Sequence, residues 1–238
     1  KSELMTLSFS LVDEQPDFVV LDKAPGVSFH SDDGAGLVVQ AAQSLGYPLY
    51  PVHRLDKVTS GLIVMAKNSE TAAELTRLFT SHQVEKFYLA LSFAKAQKKQ
   101  GWIKGDMAPS RRGAWKLLSS QQNPAVTYFI SKGFEDLPFR AYLLKPFSGK
   151  THQIRVALKS VGAVIAGDEL YGADNADRVY LHAYALRFIL HNRDFTYLCA
   201  PAQGSLYQQL AQHKALADWQ QPWQLAWPQY TQPNNSKG

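Results

Sequence analysis

His53-Arg54-Leu55-Asp56-Lys57-Val58-Thr59-Ser60-Gly61-Leu62-Ile63-Val64-Met65-Ala66 places an imidazole, a guanidinium and a carboxylate within four residues, ahead of a turn and an apolar run. Thr59, Ser60 and Gly61 read as the turn, glycine allowing tight backbone geometry there. Leu62 to Ala66 reads as a buried strand. Asp56 therefore belongs to a polar loop braced by a buried element, a setting in which a fold can hold a reactive group rigidly. Taken alone, an acid two places from an arginine is also a surface ion pair worth at most about 1 kcal/mol.

Outward from this stretch the chain alternates strand and helix signals. Leu7 to Val12 alternates like an exposed strand, and Asp13 to Asp17, with Pro16, reads as a turn. Phe18 to Lys23 is an apolar strand closed by Ala24-Pro25-Gly26. His30 to Gly36 reads as a flexible loop, and Leu37 to Leu45 as a helix stopped by Gly46. Asn68 or Ser69 is the expected N-cap of a helix over Thr71 to Phe79, with Ala72, Leu75, Leu78 and Phe79 on one face. Val84 to Leu91, Ala125 to Ile130, Phe139 to Leu144 and Phe195 to Cys199 read as strands. Lys95 to Gln100 reads as a hairpin tip. Leu158 to Val161 continues a short helix halted by Gly162, and Leu206 to Leu216 is an amphipathic helix. Trp219, Trp223 and Trp227 follow, in a tail that packs on the body or meets a partner. The last five residues are expected to be disordered.

Two further constellations carry chemistry. Gly149-Lys150-Thr151 looks like the end of a phosphate loop, but the earlier glycine that loop requires falls on Leu144. The order of strands and helices also argues against it. Lys104, Arg111, Arg112 and Lys116, interleaved with Trp102 and Trp115, read equally as a solvated face or an RNA-contacting one.

Composition bounds the rest. The chain has 238 residues, is 45% hydrophobic and 12% aromatic, and suits an ordinary soluble globule. A net charge of +5 and a pI near 9.2 favour a polyanionic partner. The single cysteine, Cys199, excludes an internal disulfide and a cysteine-built zinc site. The seven histidines form no His-x-x-x-His pair. No run is long and apolar enough to span a bilayer and no signal peptide is visible, so a cytoplasmic location is expected.

The stretch from His53 resembles, without a gap, the H-R-L-D-x-x-T-S-G motif of the RluA-type pseudouridine synthases. The resemblance extends from about residue 18 to 188. The Lys23-Ala24-Pro25-Gly26-Val27 turn is a variant of the family's first motif, with a structural role. Lys86, Tyr88 and Ala90 match Lys-x-Tyr-x-Ala, and Gly149 to Val156 match Gly-Arg/Lys-Thr-His-Gln-Ile-Arg-Val. Ala157 stands where the family usually has histidine. Asp168, Tyr171 and Gly172 match Gly-Asp-x-x-Tyr-Gly, and Leu181 to Phe188 match Leu-His-Ala-x-x-Leu-x-Phe.

The resemblance implies three catalytic residues. Asp56 is the catalytic carboxylate, Tyr88 lies against the target base and is implied in proton movement there, and Arg155 pairs with Asp56, favouring its charged form and fixing its orientation by bidentate contact. Arg54 is implied in displacing the uridine. His53, Lys150, His152, Gln153, Leu170, Arg111 and Arg112 are the remaining expected substrate contacts, with Leu55, Ile154 and Leu170 as a dry wall. Asp168 is expected to be a cap or turn residue and His182 a satisfied structural histidine.

The implied fold is α+β: a mixed, mostly antiparallel sheet with flanking helices and a central cleft. It is expected to form one catalytic domain over residues 1–238, with a C-terminal helix and Trp-rich tail over 204–238. It is expected to lack the N-terminal S4-like RNA-binding domain of many relatives. The implied reaction isomerises uridine to pseudouridine in ribosomal RNA or tRNA, by a monomer with no cofactor, metal or membrane. A non-catalytic RNA chaperone and a metal-dependent hydrolase are the competing classes.

Overall fold

A computed structural model describes residues 8–29 and 36–232. In chain order its elements are β1 (Phe9–Glu14), β2 (Phe18–Lys23), α1 (Leu37–Leu45), β3 (Tyr50–Pro51), β4 (Ser60–Ala66), α2 (Ser69–Thr80), β5 (Glu85–Ser92), β6 (Gln100–Gly105), β7 (Met107–Pro109), β8 (Trp115–Leu117), β9 (Ala125–Gly133), β10 (Arg140–Pro146), α3 (Gln153–Ser160), β11 (Leu181–Leu190), β12 (Arg193–Leu198) and α4 (Ser205–Ala211). The fold is α+β. One sheet runs β1-β2-β4-β11-β5-β10-β9-β6, with β3 added to β4 and β12 to β11, while β7 and β8 form a separate two-stranded arm.

Every pairing in the large sheet is antiparallel except the short β4–β11 seam, where Ser60 faces His182 and Gly61 faces Ala183. Gly61 is obligatory at this seam. Its φ is +112°, and a Cβ there would overlap the Ala183 carbonyl.

The apolar run Leu62 to Ala66 is buried on both faces. Leu62, Val64 and Ala66 pack with Leu75 and Leu78 of α2. Ile63 and Met65 pack on the opposite face with Leu37 and Ala41 of α1. A two-residue alternation thus serves two helices from one strand. The other half of the sheet packs against Ile154, Ala157 and Leu158 of α3 and Leu206, Tyr207 and Leu210 of α4. β11 joins the halves, sending Tyr184 into one core, Leu186 and Phe188 into the second and Ala183 into the third.

Three expectations shift, and one left open is decided. Lys95 to Gln100 is not a hairpin tip, because β5 and β6 are separated by β10 and β9 and the segment crosses the ends of those strands. The helix expected over Leu206 to Leu216 ends at Ala211, followed by a turn in which Lys214 has φ +49°. The turn expected over Asp13 to Asp17 is shorter, since β1 runs on to Glu14. The tail packs on the body: Trp219 is buried, its carbonyl accepting from the Tyr184 hydroxyl (2.9 Å), and the Trp227 ring lies 5.7 Å from that of Phe87. Leu7, His30 to Ala35 and the last five residues lie outside the described residues.

Candidate active site

Asp56 lies in the loop between β3 and β4, where the Asp56 carbonyl accepts the Thr59 N–H at 3.0 Å to close the turn. The loop is held from below. The carbonyl of Lys57, next to Asp56, accepts the Gly26 N–H at 2.8 Å and the Lys23 ammonium at 3.1 Å. Lys23 also donates to the carbonyls of Ala24 (2.9 Å) and Val27 (2.8 Å). Burial draws its pKa down to about 7, with the Arg178 charge acting the same way and the Asp56 and Asp22 charges opposing. Three carbonyl acceptors require three N–H donors, which only the ammonium supplies. The first-motif lysine thus acts as a strut beneath the Asp56 loop.

A cleft of about 510 Å³ opens above this loop, a volume suited to a nucleotide-sized ligand. His53, Arg54, Asp56, Tyr88, Lys150, His152, Gln153 and Arg155 all line it. Asp56 is the one carboxylate among the described residues that do so. Tyr88, on β5 opposite Leu144 of β10 and Ala183 of β11, stands at the cleft floor. Burial, with the Asp56 charge behind it, raises the pKa of its hydroxyl above the usual phenol range. Leu55 and Ile154 supply apolar wall as expected.

Arg155 projects from the first turn of α3, but its fork does not go to Asp56. Nε and Nη2 donate to the two carboxylate oxygens of Asp168, each at 2.8 Å, and only Nη1 approaches Asp56, at 3.7 Å. Asp168 is thus no mere turn residue: it is buried and serves as the bidentate partner of Arg155. Burial works against the guanidinium charge, yet hydrogen bonding and charge from Asp168, then Asp56, more than offset it and raise the Arg155 pKa. The guanidinium also lies 5.1 Å from the centre of the Tyr171 ring.

Tyr171 connects the site to the β7–β8 arm. Its hydroxyl shares a 2.7 Å hydrogen bond with His152 Nδ1 and accepts the Trp115 N–H at 3.1 Å. Burial raises the Tyr171 pKa, and burial followed by the Arg155 charge lowers that of His152.

Several expected substrate contacts have other work. Gln153 spends its side chain internally, accepting from Ser148 Oγ (2.8 Å) and the Lys150 N–H (3.0 Å) and donating to the Val126 carbonyl and Thr127 Oγ1 (3.0 Å each). His53 accepts the Val64 N–H at Nε2 (2.8 Å) and stacks on Phe79. Its burial, with the Lys86 charge, lowers its pKa to about 3. Leu170 is 39% exposed and does not line the cleft, because the 3-10 turn over Glu169–Tyr171 faces its neighbour Tyr171 inward instead. Leu181 lines the cleft, whereas Leu170 does not. Arg111 and Arg112 are exposed on the arm, outside the cleft lining. His182 is satisfied, Nε2–H donating to the Cys199 carbonyl and Nδ1 accepting from Ser60 Oγ, each at 2.7 Å. Lys86, also in the lining, received no role from the sequence, although Lys-x-Tyr put it beside Tyr88. No helix among the described residues is long and apolar enough to cross a membrane.

Residues 17–160 match the family described as RNA pseudouridylate synthase. A Haemophilus influenzae protein named "Uncharacterized RNA pseudouridine synthase" is 47% identical over 205 residues, covering 84% of this chain and 91% of that protein. The "Ribosomal large subunit pseudouridine synthase C" of Rickettsia bellii is 32% identical over 186 residues, 73% of this chain, which spans 61% of that relative's length. The solved structure of "Human RNA Pseudouridylate Synthase Domain Containing 1" superposes with a TM-score of 0.70 at 25% identity, over 86% of this chain and 94% of that one. The chain belongs to the RNA pseudouridylate synthase family, isomerases that act on RNA.

Proposed function

We propose that the chain isomerises uridines of ribosomal RNA or tRNA to pseudouridine, with Asp56 as the catalytic carboxylate and without a cofactor. The observation that carries this reading is the isolation of Asp56. Among the described residues it is the one acid lining a nucleotide-sized cleft, with a guanidinium at 3.7 Å and an aromatic ring beside it.

The chemistry is balanced within one nucleotide. The N1–C1′ bond breaks, uracil turns while bound, C5 joins C1′, the C5 proton is lost to water and N1 gains one in its place, so the product is an isomer of the substrate. Attack on C1′ and removal of the C2′ proton both require an ionised carboxylate. Arg155, fixed by Asp168, would present one N–H edge to it without enclosing it. Tyr88 offers a flat surface for a base taken out of its stack. Leu55, Ile154 and Leu181 would keep water from C1′ while uracil is free. Arg54, two residues from Asp56 in the same loop and exposed, is available to fill the space that the uridine leaves.

The name of the Rickettsia bellii relative supports large-subunit ribosomal RNA as the first substrate to try. RNA tritiated at uridine C5 would be offered as ribosomal RNA and as tRNA, both lacking pseudouridine. Tritium release by wild type and not by Asp56→Asn is the expected result. Equal release by both proteins would remove Asp56 from the reaction. Release from tRNA alone would overturn the ribosomal preference.

A further inference from the structure

Lys86 is the anomaly of the cleft. Three other buried or half-buried lysines have polar partners: Lys145 pairs with Glu85 at 2.9 Å, Lys67 with Glu14 at 2.9 Å, and Lys23 has its three carbonyls. The Lys86 ammonium makes no hydrogen bond and no ion pair with any described residue. It lies on β5 two residues before Tyr88 and on the same face, about 7 Å further along the strand. Desolvation alone lowers its pKa. Its ammonium is not sealed in, since no buried side-chain nitrogen or oxygen among the described residues is left without a partner. It therefore opens into the cleft that it lines.

The backbone facing it has the same character. A Cβ built on Gly149 would sit 3.6 Å from Lys86 Nζ, so the ammonium reaches the loop at the amino end of the eight-residue helix α3. In that loop the Lys150 N–H is taken by Gln153, while the N–H groups of Gly149, Thr151 and His152 have no acceptor among the described residues. The Lys150 side chain has no ion-pair partner there either. A helix amino end carries partial positive charge and unpaired donors, which together suit an anion. Lys86 adds a full charge from a strand that approaches independently of the helix.

We propose that Lys86 and the Gly149–His152 loop form a phosphate subsite, which holds the RNA backbone beside the target uridine. The Gly-Lys-Thr tripeptide thus meets phosphate without belonging to a nucleotide-triphosphate loop. A phosphodiester fits better than a uracil carbonyl, because only an anion neutralises an ammonium that has no acid of its own. The inference rests on the reading of the Asp56 cleft as the uridine site.

The test is RNA binding by Asp56→Asn protein, which separates binding from turnover, with Lys86→Gln and Lys86→Arg added in turn. Affinity would be measured against salt on a stem-loop carrying one target uridine. Lys86→Gln is expected to bind roughly tenfold more weakly. Its log–log salt slope should fall by about 0.7 to 0.9, the share of one phosphate contact. Lys86→Arg should retain the slope. A neutral methylphosphonate at the linkage flanking the uridine should weaken Lys86 protein and leave Lys86→Gln unaffected. Because an unpartnered ammonium is costly to hold in the fold, Lys86→Gln should also melt at a higher temperature than its parent. An unchanged slope, or equal sensitivity of both proteins to the methylphosphonate, would overturn the proposal. Absence of tritium release by wild type would overturn the catalytic reading instead, and leave the binding result interpretable.

Discussion

Arg155 grips Asp168 with two nitrogens at 2.8 Å and reaches Asp56 with the third at 3.7 Å. The two carboxylates therefore divide the labour of one guanidinium. Side-chain exposure is 6% for Arg155, 2% for Asp168 and 28% for Asp56, so the tight pair is buried and the loose one faces the cleft. A carboxylate locked in a bidentate pair has its lone pairs committed, whereas Asp56 keeps its own free to meet a substrate.

That division predicts opposite phenotypes. Asp168→Ala leaves a buried guanidinium without its partner and should cost about 3–5 kcal/mol of stability. Asp56→Asn should change stability by less than about 1 kcal/mol, since its only pair is long and half-open, yet abolish tritium release. Denaturant melts run beside the release assay check both. Comparable stability losses would show that Asp56, too, is a structural ion-pair residue.

Tyr88 should act through its ring. Its hydroxyl makes no hydrogen bond with a described residue, and burial, with the Asp56 charge behind it, raises its pKa. Tyr88→Phe should keep release within about tenfold of wild type, while Tyr88→Leu should lose the roughly 1–3 kcal/mol of base–aromatic stacking. Release rates at saturating RNA, compared across the two variants, test this. A Phe variant as impaired as Leu would assign the work to the hydroxyl.

The cleft was legible where its residues fall inside continuous motifs. Asp56 sits in a loop, Tyr88 in a strand and Arg155 at a helix start, each at a fixed offset within its motif, and the fold brings all three to one cavity. The Arg155–Asp168 pair was not legible, because thirteen residues and a loop separate the partners and a Gly-Asp dipeptide reads locally as a turn. Leu170 was misplaced for a related reason. In a single 3-10 turn, which neighbour faces inward is decided by what packs against it, here His152 and Trp115 on Tyr171. The segment Lys95 to Gln100 failed because strand neighbours are set by long-range pairing, and the local polarity of a tip is the same as that of a crossing loop. Trp219, Trp223 and Trp227 recur every fourth residue, but Pro222 and Pro228 interrupt the helix that spacing suggests, so the tail's docking on β5 and β9 through Phe87 and Tyr128 depended on the sheet being built first.

The Tyr171 hydroxyl should couple the arm to the cleft. It takes the Trp115 N–H from β8 and meets His152 at the amino end of α3. Tyr171→Phe removes both contacts while keeping the ring on which Arg155 rests. Amide exchange over residues 107–117 should accelerate, and affinity for RNA should fall more than the rate at saturation. Unchanged exchange in the arm would mean that β7 and β8 hold their position without Tyr171.

Acid sensitivity should be traceable to His182. The ring is fully buried at the β4–β11 seam, donating to Cys199 and accepting from Ser60, and its pKa is pushed down to about 3 chiefly by desolvation. The unfolded chain would take up a proton near the ordinary histidine value of 6.5, whereas the native chain refuses it until about 3. Below 6.5 the unfolded state therefore binds more protons, so stability is complete above that pH and declines as pH falls, by about 1.4 kcal/mol per pH unit for this one group. His53, also lowered to about 3, adds a second share in the same direction. His182→Gln keeps an N–H for the Cys199 carbonyl but cannot gain charge. It should be less stable than wild type at pH 7.5, yet lose about 1.6 kcal/mol less in total between pH 6.5 and 5. Urea melts across that interval, where most carboxylates stay ionised, make the comparison. Parallel slopes for the two proteins would remove His182 as a source of the acid sensitivity and leave His53 to account for it.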